Sequence, residues 1–377
     1  MIDYRLAQKQ DMEGVIDFIN MVFSMLRIPH NFEALLPKVY AGEESLADIH
    51  LIAEEEGRLC GCLAMYEFPL RVGGETLRVG YMGSMAVHPR VRGKGTMGEL
   101  MRRQTLRGRE MGMDMLVLGG QRQRYERHGY TPAGVTYTYA VSAANVRHAL
   151  ADVDAQGVTF RPFAQEDVAA AFALYNAQPV AGARTHENFL ATLGSYQNKA
   201  WAIAKDGELA GYLVASADGQ QITELRLADM GDALPVVKAW LQEMNVRSVR
   251  VEAAPYDPQL NRTLAPICEG YSMGQNCMLQ VVNVERVVKA YMQLKNQMEP
   301  LADGVFTIGW GKAGTYKIGV ENGEISVEKT DDMPDAQMSE LEAMHLLFGW
   351  NRFSAPQVDT PRGWFPLPFH IPGPDSF

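Results

Sequence analysis

The chain has few cysteines, no long apolar run and no excess of positive charge. Four cysteines in 377 residues do not suggest a disulfide framework. Cys60 and Cys62 alternate within an apolar stretch, so a strand there would turn both to one face. Neither they nor Cys268 and Cys277 have partners at zinc-ligand spacing, which leaves packing as their role and no metal. No stretch approaches the roughly 18 apolar residues of a membrane span. The opening Met-Ile-Asp-Tyr-Arg lacks a basic region followed by an apolar core. The expectation is a soluble, reducing, cytoplasmic setting with no membrane partner. Lysine and arginine number 35 against 45 aspartates and glutamates, a net charge of −10. That disfavours nucleic acid and favours a cationic partner. No low-complexity segment occurs, and the Gly-x-x-x-x-Gly-Lys-Ser/Thr phosphate loop is missing.

What is present is a different anion cradle. From Ser84 the chain reads Ser-Met-Ala-Val-His-Pro-Arg-Val-Arg-Gly-Lys-Gly-Thr-Met-Gly98. A strand runs to Val87 and His88-Pro89 stops it, because proline donates no ladder hydrogen bond. Arg90 to Gly95 is a short basic loop. From Thr96 the spacing becomes helical, with Met97, Leu100 and Met101 on one face. Strand, glycine loop and helix N-terminus together suit a phosphate, because the first helical N–H groups lack acceptors and the dipole favours an anion. Gly93-Lys-Gly95-Thr-Met-Gly98 also fits the letters of a dinucleotide fingerprint. Five residues from His88 to Arg92 separate strand and glycines, however. Asp114, at ribose-binding distance, precedes the next apolar strand instead of ending it.

The length predicts two or three domains. Tyr4 to Leu6 reads as a strand, followed by a helix carrying Met12, Val15, Ile16, Ile19 and Val22. Beyond Pro29 a second helical stretch holds Phe32, Leu35, Leu36 and Val39. His50–Ala53 and Arg58–Tyr66 form a hairpin across Glu55-Glu56-Gly57. Leu77–Val87 enters the loop, Met97–Met111 is the helix after it, and Met113–Leu118 is the next strand. Tyr125-Glu-Arg-His-Gly-Tyr130 follows. The pattern then recurs. Tyr4-Arg5…Asp11…Asn20 returns as Phe160-Arg161…Asp167…Asn176, and Gly57-Arg-Leu59-Cys-Gly61 as Gly207-Glu-Leu209-Ala-Gly211. A period near roughly 150 residues signals a duplicated domain, not a solenoid. The second copy lacks the basic loop and has Asp229 and Asp232 there, which oppose phosphate. From Asn283 the pattern changes to a helix (Val284–Leu294), strands (Gly304–Trp310, Thr315–Val320), a turn at Glu321–Glu324 and a helix (Met338–Gly349). The tail from Trp364 to Phe377 is rich in proline and aromatics, unlike a disordered tail.

Val-His-Pro followed after two residues by Arg-Gly-Lys-Gly resembles the acyl-coenzyme-A loop of the GNAT N-acetyltransferases, Gln/Arg-x-x-Gly-x-Gly/Ala. In the family register Arg92 takes the first position and Gly95 the central glycine, with Met97 a departure. Arg90-x-x-Gly93-x-Gly95 is a literal alternative two residues early. Tyr125-x-x-x-Gly129-Tyr130 resembles the family's late motif. The whole layout is similar to the Eis (enhanced intracellular survival) acetyltransferases. The resemblance implies an α/β (α+β) fold of tandem GNAT domains. The catalytic one spans 1–140, the degenerate one 157–282, and a sterol-carrier-protein-like domain 283–377 sends its tail into the active site.

The implied activity is acetyl transfer from acetyl-coenzyme A to an amine of a cationic small molecule or peptide. The resemblance makes Tyr125 the general acid and the α-carboxylate of Phe377 the general base. It assigns coenzyme contacts to Met85, Ala86, Val87, Arg92, Gly93, Lys94, Gly95, Thr96, Met97, Gly98, Gly120 and Gln121. It also implies a homo-oligomer, often a hexamer. The chemistry is consistent: a tyrosine with a pKa of about 10 can protonate a departing thiolate, and an α-carboxylate of about 3.5 is ionised and gains basicity on burial. His370 is an alternative base. A non-catalytic acyl-coenzyme-A sensor and a lipid carrier built on the C-terminal domain are the rival functions.

Overall fold

The structure is a computed structural model that describes residues 2–25, 28–40, 47–182, 184–351, 353 and 355–377. The chain divides into two units, one of Met1–Ala133, Cys277–Leu367 and Ser376–Phe377, the other of Gly134–Asn276 and Pro368–Asp375.

In the first unit β1 (Ile2–Leu6) is followed by α1 (Met12–Ser24), which buries Val15, Phe18, Ile19 and Val22. Two short helices follow, α2 (Phe32–Leu35) and α3 (Pro37–Tyr40). The sequence had suggested one helical stretch there. The backbone instead leaves the helical region at Leu36, before Pro37, as expected of a residue preceding proline. Strands β2 (His50–Glu55), β3 (Arg58–Val72) and β4 (Glu75–Val87) form an antiparallel meander with β1. Helix α4 (Thr96–Glu110) then returns the chain to β5 (Met115–Leu118), which pairs parallel to β4. This mixed sheet with its crossover helix is a GNAT-type α/β fold.

Helix α4 packs its Leu100 and Met101 into a core with Leu63, Met65, Met82 and Leu116. Its buried Gln104 is satisfied by donating to the carbonyls of Ile49 and Leu63 at 3.1 and 2.9 Å. After the short helix α5 (Arg122–Tyr125), strand β6 (Thr131–Ser142) carries the chain into the second unit.

The second unit contains α6 (Ala143–Arg147), β7 (Val158–Pro162), α7 (Val168–Asn176), β8 (Val180–Ala181), α8 (Phe189–Leu193), β9 (Lys199–Lys205), β10 (Glu208–Ala215), β11 (Gln221–Leu227), α9 (Ala233–Glu243), β12 (Ser248–Ala253) and α10 (Pro258–Leu264). Its sheet runs β7-β9-β10-β11-β12-β6, parallel only between β11 and β12. Trp240 of α9, fully buried, centres the core on one side, and Tyr175, Phe189 and Tyr212 form a second cluster. Where the first unit has its glycine loop, this one has Asp229 accepting from Gly231 N at 2.8 Å and Asp232 paired with Lys205 at 2.5 Å.

Strand β13 (Gly270–Val281) follows the second unit in sequence, but its Met278–Val281 pair antiparallel with β5 and close the first sheet. Helix α11 (Val284–Met298) then leads to a four-stranded sheet of β14 (Gly304–Trp310), β15 (Thr315–Glu321), β16 (Glu324–Thr330) and β17 (Ala336–Met338), ordered β16-β15-β14-β17. Helix α12 (Glu340–Phe348) starts at a capping box of Ser339 and Glu342. The tail begins docked in the first unit. Trp364 Nε1 donates to Ala302 O at 2.9 Å, and Lys295 Nζ to Pro366 O at 2.7 Å.

Asp114, the residue that a ribose would need, is occupied. It is 2% exposed, accepts from Arg78 N at 2.8 Å and from Asn283 Nδ2 at 3.2 Å, and pairs with Arg286 at 2.9 Å. It ties the start of β5 to β4 and α11. Asp114→Ala leaves the buried Arg78 N–H without this acceptor, and is expected to cost about 2 kcal/mol. The denaturation midpoint of the purified variant checks this; an unchanged midpoint would show that the tie is dispensable.

Candidate active site

The site is built where β4 and β5 part. Their parallel register runs from Val79↔Met115 to Met82↔Leu118, and β4 continues to Val87 along β3. In the same place β4 bulges: Cys62 faces Ala86 while Ala64 faces Gly83, and Ser84 takes φ +52°. A bulge of this kind turns backbone groups out of the ladder. Met85 and Val87 are half-buried there and Ala86 is fully buried.

The loop after β4 is fixed locally. His88 N donates to Cys60 O at 2.9 Å, and its Nδ1 accepts from Arg90 N at 3.1 Å. His88 is thus a residue of the turn, and burial, with Arg90 and Arg92, holds its pKa below the usual value. Gly93 and Gly95 adopt φ of +80° and +82°, with no atom within 4 Å of where a β carbon would stand. Only glycine takes such a backbone freely, so the loop leaves open space at both positions. Gly95 is the N-cap of α4, and the N–H groups of Thr96, Met97 and Gly98 open the helix. Arg92 is exposed, with Nε 3.3 Å from Val87 O, and Lys94 pairs with Glu55 at 3.1 Å. Arg102 and Arg103 are already paired with Glu99, at 2.8 and 2.6 Å. The residues present therefore fit a pyrophosphate: unobstructed glycine backbone, a helix N-terminus and Arg92.

Sequence reasoning missed a neighbour here. The His128 ring lies 3.5 Å from the β-carbon position of Gly98, on the first turn of α4. Burial first, then Arg127, lowers its pKa. The only sequence signal was its place inside the Tyr125–Tyr130 motif.

Tyr125 ends α5. Its ring fills the space above Gly120, where a β carbon would be 2.2 Å from Cε2, and this contact explains why residue 120 has no side chain. Gln121 is the N-cap of α5. Gly129 turns with φ +88° beneath the Gln280 amide. Burial pushes the Tyr125 phenol up, with Arg124 opposing, so it stays protonated at neutral pH.

Ser376 and Phe377 belong to this same unit. The Phe377 ring stacks on Tyr66 (4.9 Å between centroids, 17° between planes) and lies 5.7 Å from Phe68 and 5.6 Å from Tyr81. Its carboxyl carbon is 3.6 Å from the β-carbon position of Gly83. Lys38 Nζ sits 4.2 Å over the ring and donates to Ser376 O at 2.5 Å. Beneath Tyr66 a buried hydroxyl cluster joins Tyr40, Ser84 and His50: Tyr40 Oη is 2.6 Å from Tyr66 Oη, 2.7 Å from Ser84 Oγ and 3.1 Å from His50 Nε2. Nothing in the linear sequence links Lys38, Tyr66 and Tyr81 to the last residue.

Phe377 and Tyr125 thus border the same parting of strands, one at Gly83 and one at Leu118 and Gly120. His370 does not join them. It belongs to the second unit, where its Nδ1 is 3.0 Å from Val135 O, and burial lowers its pKa to about 4. Among the described residues no group of three or more His, Cys, Asp or Glu is placed to hold a metal ion. No helix among the described residues is long and apolar enough to cross a membrane.

Comparison with known proteins places this site in a family context. Residues 3–133 match the family model described as an acetyltransferase (GNAT) domain. No curated protein matches the chain. Among solved structures it is similar to Eis1 from Mycobacterium abscessus, at 19% identity over 100% of both chains with a TM-score of 0.70. It is also similar to a GCN5-related N-acetyltransferase from Kribbella flavida, at 17% identity over 91% of this chain and 88% of that one, TM-score 0.66. A probable N-acyltransferase from Enterococcus faecalis V583 shares 14% identity over 95% and 94%, TM-score 0.69. At these identities the structural likeness is one of fold. The matched domain carries the class: residues 3–133 form a GNAT acetyltransferase domain, and the chain is an N-acetyltransferase.

Proposed function

We propose that the chain transfers an acetyl group from acetyl-coenzyme A to an amine of a cationic small molecule or peptide, in the manner of an Eis-type enzyme. The observation that carries the reading is the placing of Phe377 beside Gly83, where β4 leaves β5, on the strand that runs into the glycine loop. Acetyl-coenzyme A supplies the activated thioester. The loop Arg92–Gly98, with Met85, Ala86 and Val87 before it and Gly120 and Gln121 across the parting, holds the coenzyme. The α-carboxylate of Phe377 accepts a proton from the amine as its nitrogen bonds to the thioester carbonyl carbon. Backbone N–H groups at the bulge stabilise the oxygen. The C–S bond then breaks and Tyr125 donates its proton to the sulfur, for which its raised pKa suits it.

The layout supports a tandem reading with boundaries near 1–140, 157–282 and 283–377. Both units pair their strands in the same way, and each opens with one motif. Arg5 pairs with Asp11 at 2.7 Å, and Arg161 with Asp167 at 2.5 Å. Each aspartate also accepts the backbone N–H three residues before it. The third segment, two helices and a four-stranded sheet, is read as sterol-carrier-like. A homo-oligomer, such as a hexamer, and a cytoplasmic setting complete this reading.

Tyr125→Phe keeps the ring over Gly120 and removes the proton donor. Turnover is expected to fall by about 10²- to 10⁴-fold with acetyl-coenzyme A affinity retained. A variant that turns over at the native rate would make Tyr125 a packing residue.

Gly95→Asp places a carboxylate in the cradle and is expected to weaken acetyl-coenzyme A at least tenfold, about 1.4 kcal/mol, by calorimetry. Gly95→Ala serves as the control for backbone strain alone. Equal affinity for all three proteins would refute the loop assignment.

Extending the chain by Gly-Ser turns the Phe377 carboxylate into an amide and keeps the ring. Most turnover should be lost while coenzyme binding and melting temperature survive. Full activity of the extended protein would exclude the carboxylate as base.

A further inference from the structure

The second unit has no glycine loop, yet it holds a charged cluster that the chemistry above does not use. Arg184 is 1% exposed, and its guanidinium lies flat on the Tyr175 ring, 3.7 Å from the centroid. Its Nη1 and Nη2 donate to Glu224 Oε1 and Oε2, both at 2.8 Å. Its Nε donates to Asp375 Oδ1 at 2.7 Å, and Nη2 also reaches Oδ2 at 3.1 Å. Tyr175 Oη donates to the same Oδ2 at 2.6 Å and itself accepts from Gly182 N at 2.5 Å. Tyr212 Oη donates to Glu224 at 2.7 Å. Burial works against the Glu224 charge, but Arg184 and Arg226 outweigh it and hold that carboxyl down to about 2.

Two carboxylates, one of them two residues from the end of the chain, therefore share one buried guanidinium. Glu224 alone already gives Arg184 a bidentate partner. Asp375 takes the remaining donors. It is 6% exposed with both oxygens engaged, so it is not an open acidic group for a cationic substrate. The preceding tail is pinned in the same unit: Ile371 N donates to Asn276 Oδ1 at 2.8 Å, and Asn276 Nδ2 to Ile371 O at 3.0 Å. Phe377 lies two residues beyond Asp375. The chain spans at most about 3.5 Å per residue, so a fixed Asp375 confines the terminal residue to within about 7 Å.

We infer that Arg184, Tyr175 and Glu224 form a clamp for Asp375, and that Asp375 is a positioning residue that sets where the α-carboxylate of Phe377 stands. This rests on the reading of Phe377 as base. It gives the unit that lacks a phosphate loop a task in catalysis: it presents the chain's end.

Asp375→Ala releases the tail and leaves the Arg184–Glu224 pair intact, which avoids an unpaired buried charge. Tyr175→Phe removes one donor only and serves where Asp375→Ala folds poorly. The readouts are release of Phe377 by carboxypeptidase A, turnover, and acetyl-coenzyme A binding. Asp375→Ala is expected to speed release and lower kcat, each by roughly tenfold or more, with coenzyme affinity within about twofold. Tyr175→Phe should move the same two readouts by a smaller factor. Release at the native rate in both variants overturns the clamp. So does full turnover in Asp375→Ala when the Gly-Ser extension is inactive. An active Gly-Ser extension removes the base reading and with it the positioning role; faster release in Asp375→Ala would then leave only the anchoring of the tail.

Discussion

The site depends on one interrupted hydrogen-bond ladder. Strands β4 and β5 are bonded to Met82↔Leu118 and no further, and β4 bulges at once through Ser84. Parallel pairing continued to Val87 would use the backbone groups that the bulge frees. The parting, the bulge and the glycine loop follow one another along one strand and into one helix. Phe377 at Gly83 and Tyr125 at Gly120 occupy its two sides. Aromatic stacking by Tyr66, Phe68 and Tyr81, with Lys38 above the ring, gives the last residue a seat where a frayed end is the general expectation.

Local chemistry was legible before any coordinates. Proline after His88, glycines at 93 and 95 and the helical spacing from Thr96 each report a backbone need, and the loop has that shape. The β2–β3 hairpin and the helix after Asn283 were readable from periodicity for the same reason. What was not legible is what distance in sequence conceals. Arg102 and Arg103 read as part of the basic surroundings of the loop, yet Glu99 one turn earlier takes both. Gly120 and Tyr125 read as separate features, and only the fold shows one as the space the other fills. Asp375 read as a candidate for binding amines, but Arg184 occupies it from nearly half the chain away. No local rule predicts such a pairing, because charge and burial at each residue are set by where the backbone brings its partner.

The two units show how one topology holds different contents. Both sheets are antiparallel except for a single parallel pair, and both begin with an arginine–aspartate brace around a short turn. In one, the strand before the second helix ends in open glycines. In the other, Asp229 caps its own turn and Asp232 is paired with Lys205. An anion site is thus present or lacking through a few residues on an unchanged frame, which is why a fold alone does not fix a function.

The closing of the first sheet by Met278–Val281 has a consequence for biosynthesis. A ribosome delivers β5 long before it delivers β13. Until residue 281 has emerged, the β5 edge of the acetyltransferase sheet is unpaired, and an unpaired apolar edge is a template for wrong strands. The second unit, whose strands lie between β6 and β12, can complete its sheet before that point. Vectorial synthesis therefore favours an order in which the later-encoded module matures first and the catalytic module waits for it. A fragment that stops at the end of the family-matched region would keep every residue of the glycine loop and lack the strand that finishes its sheet.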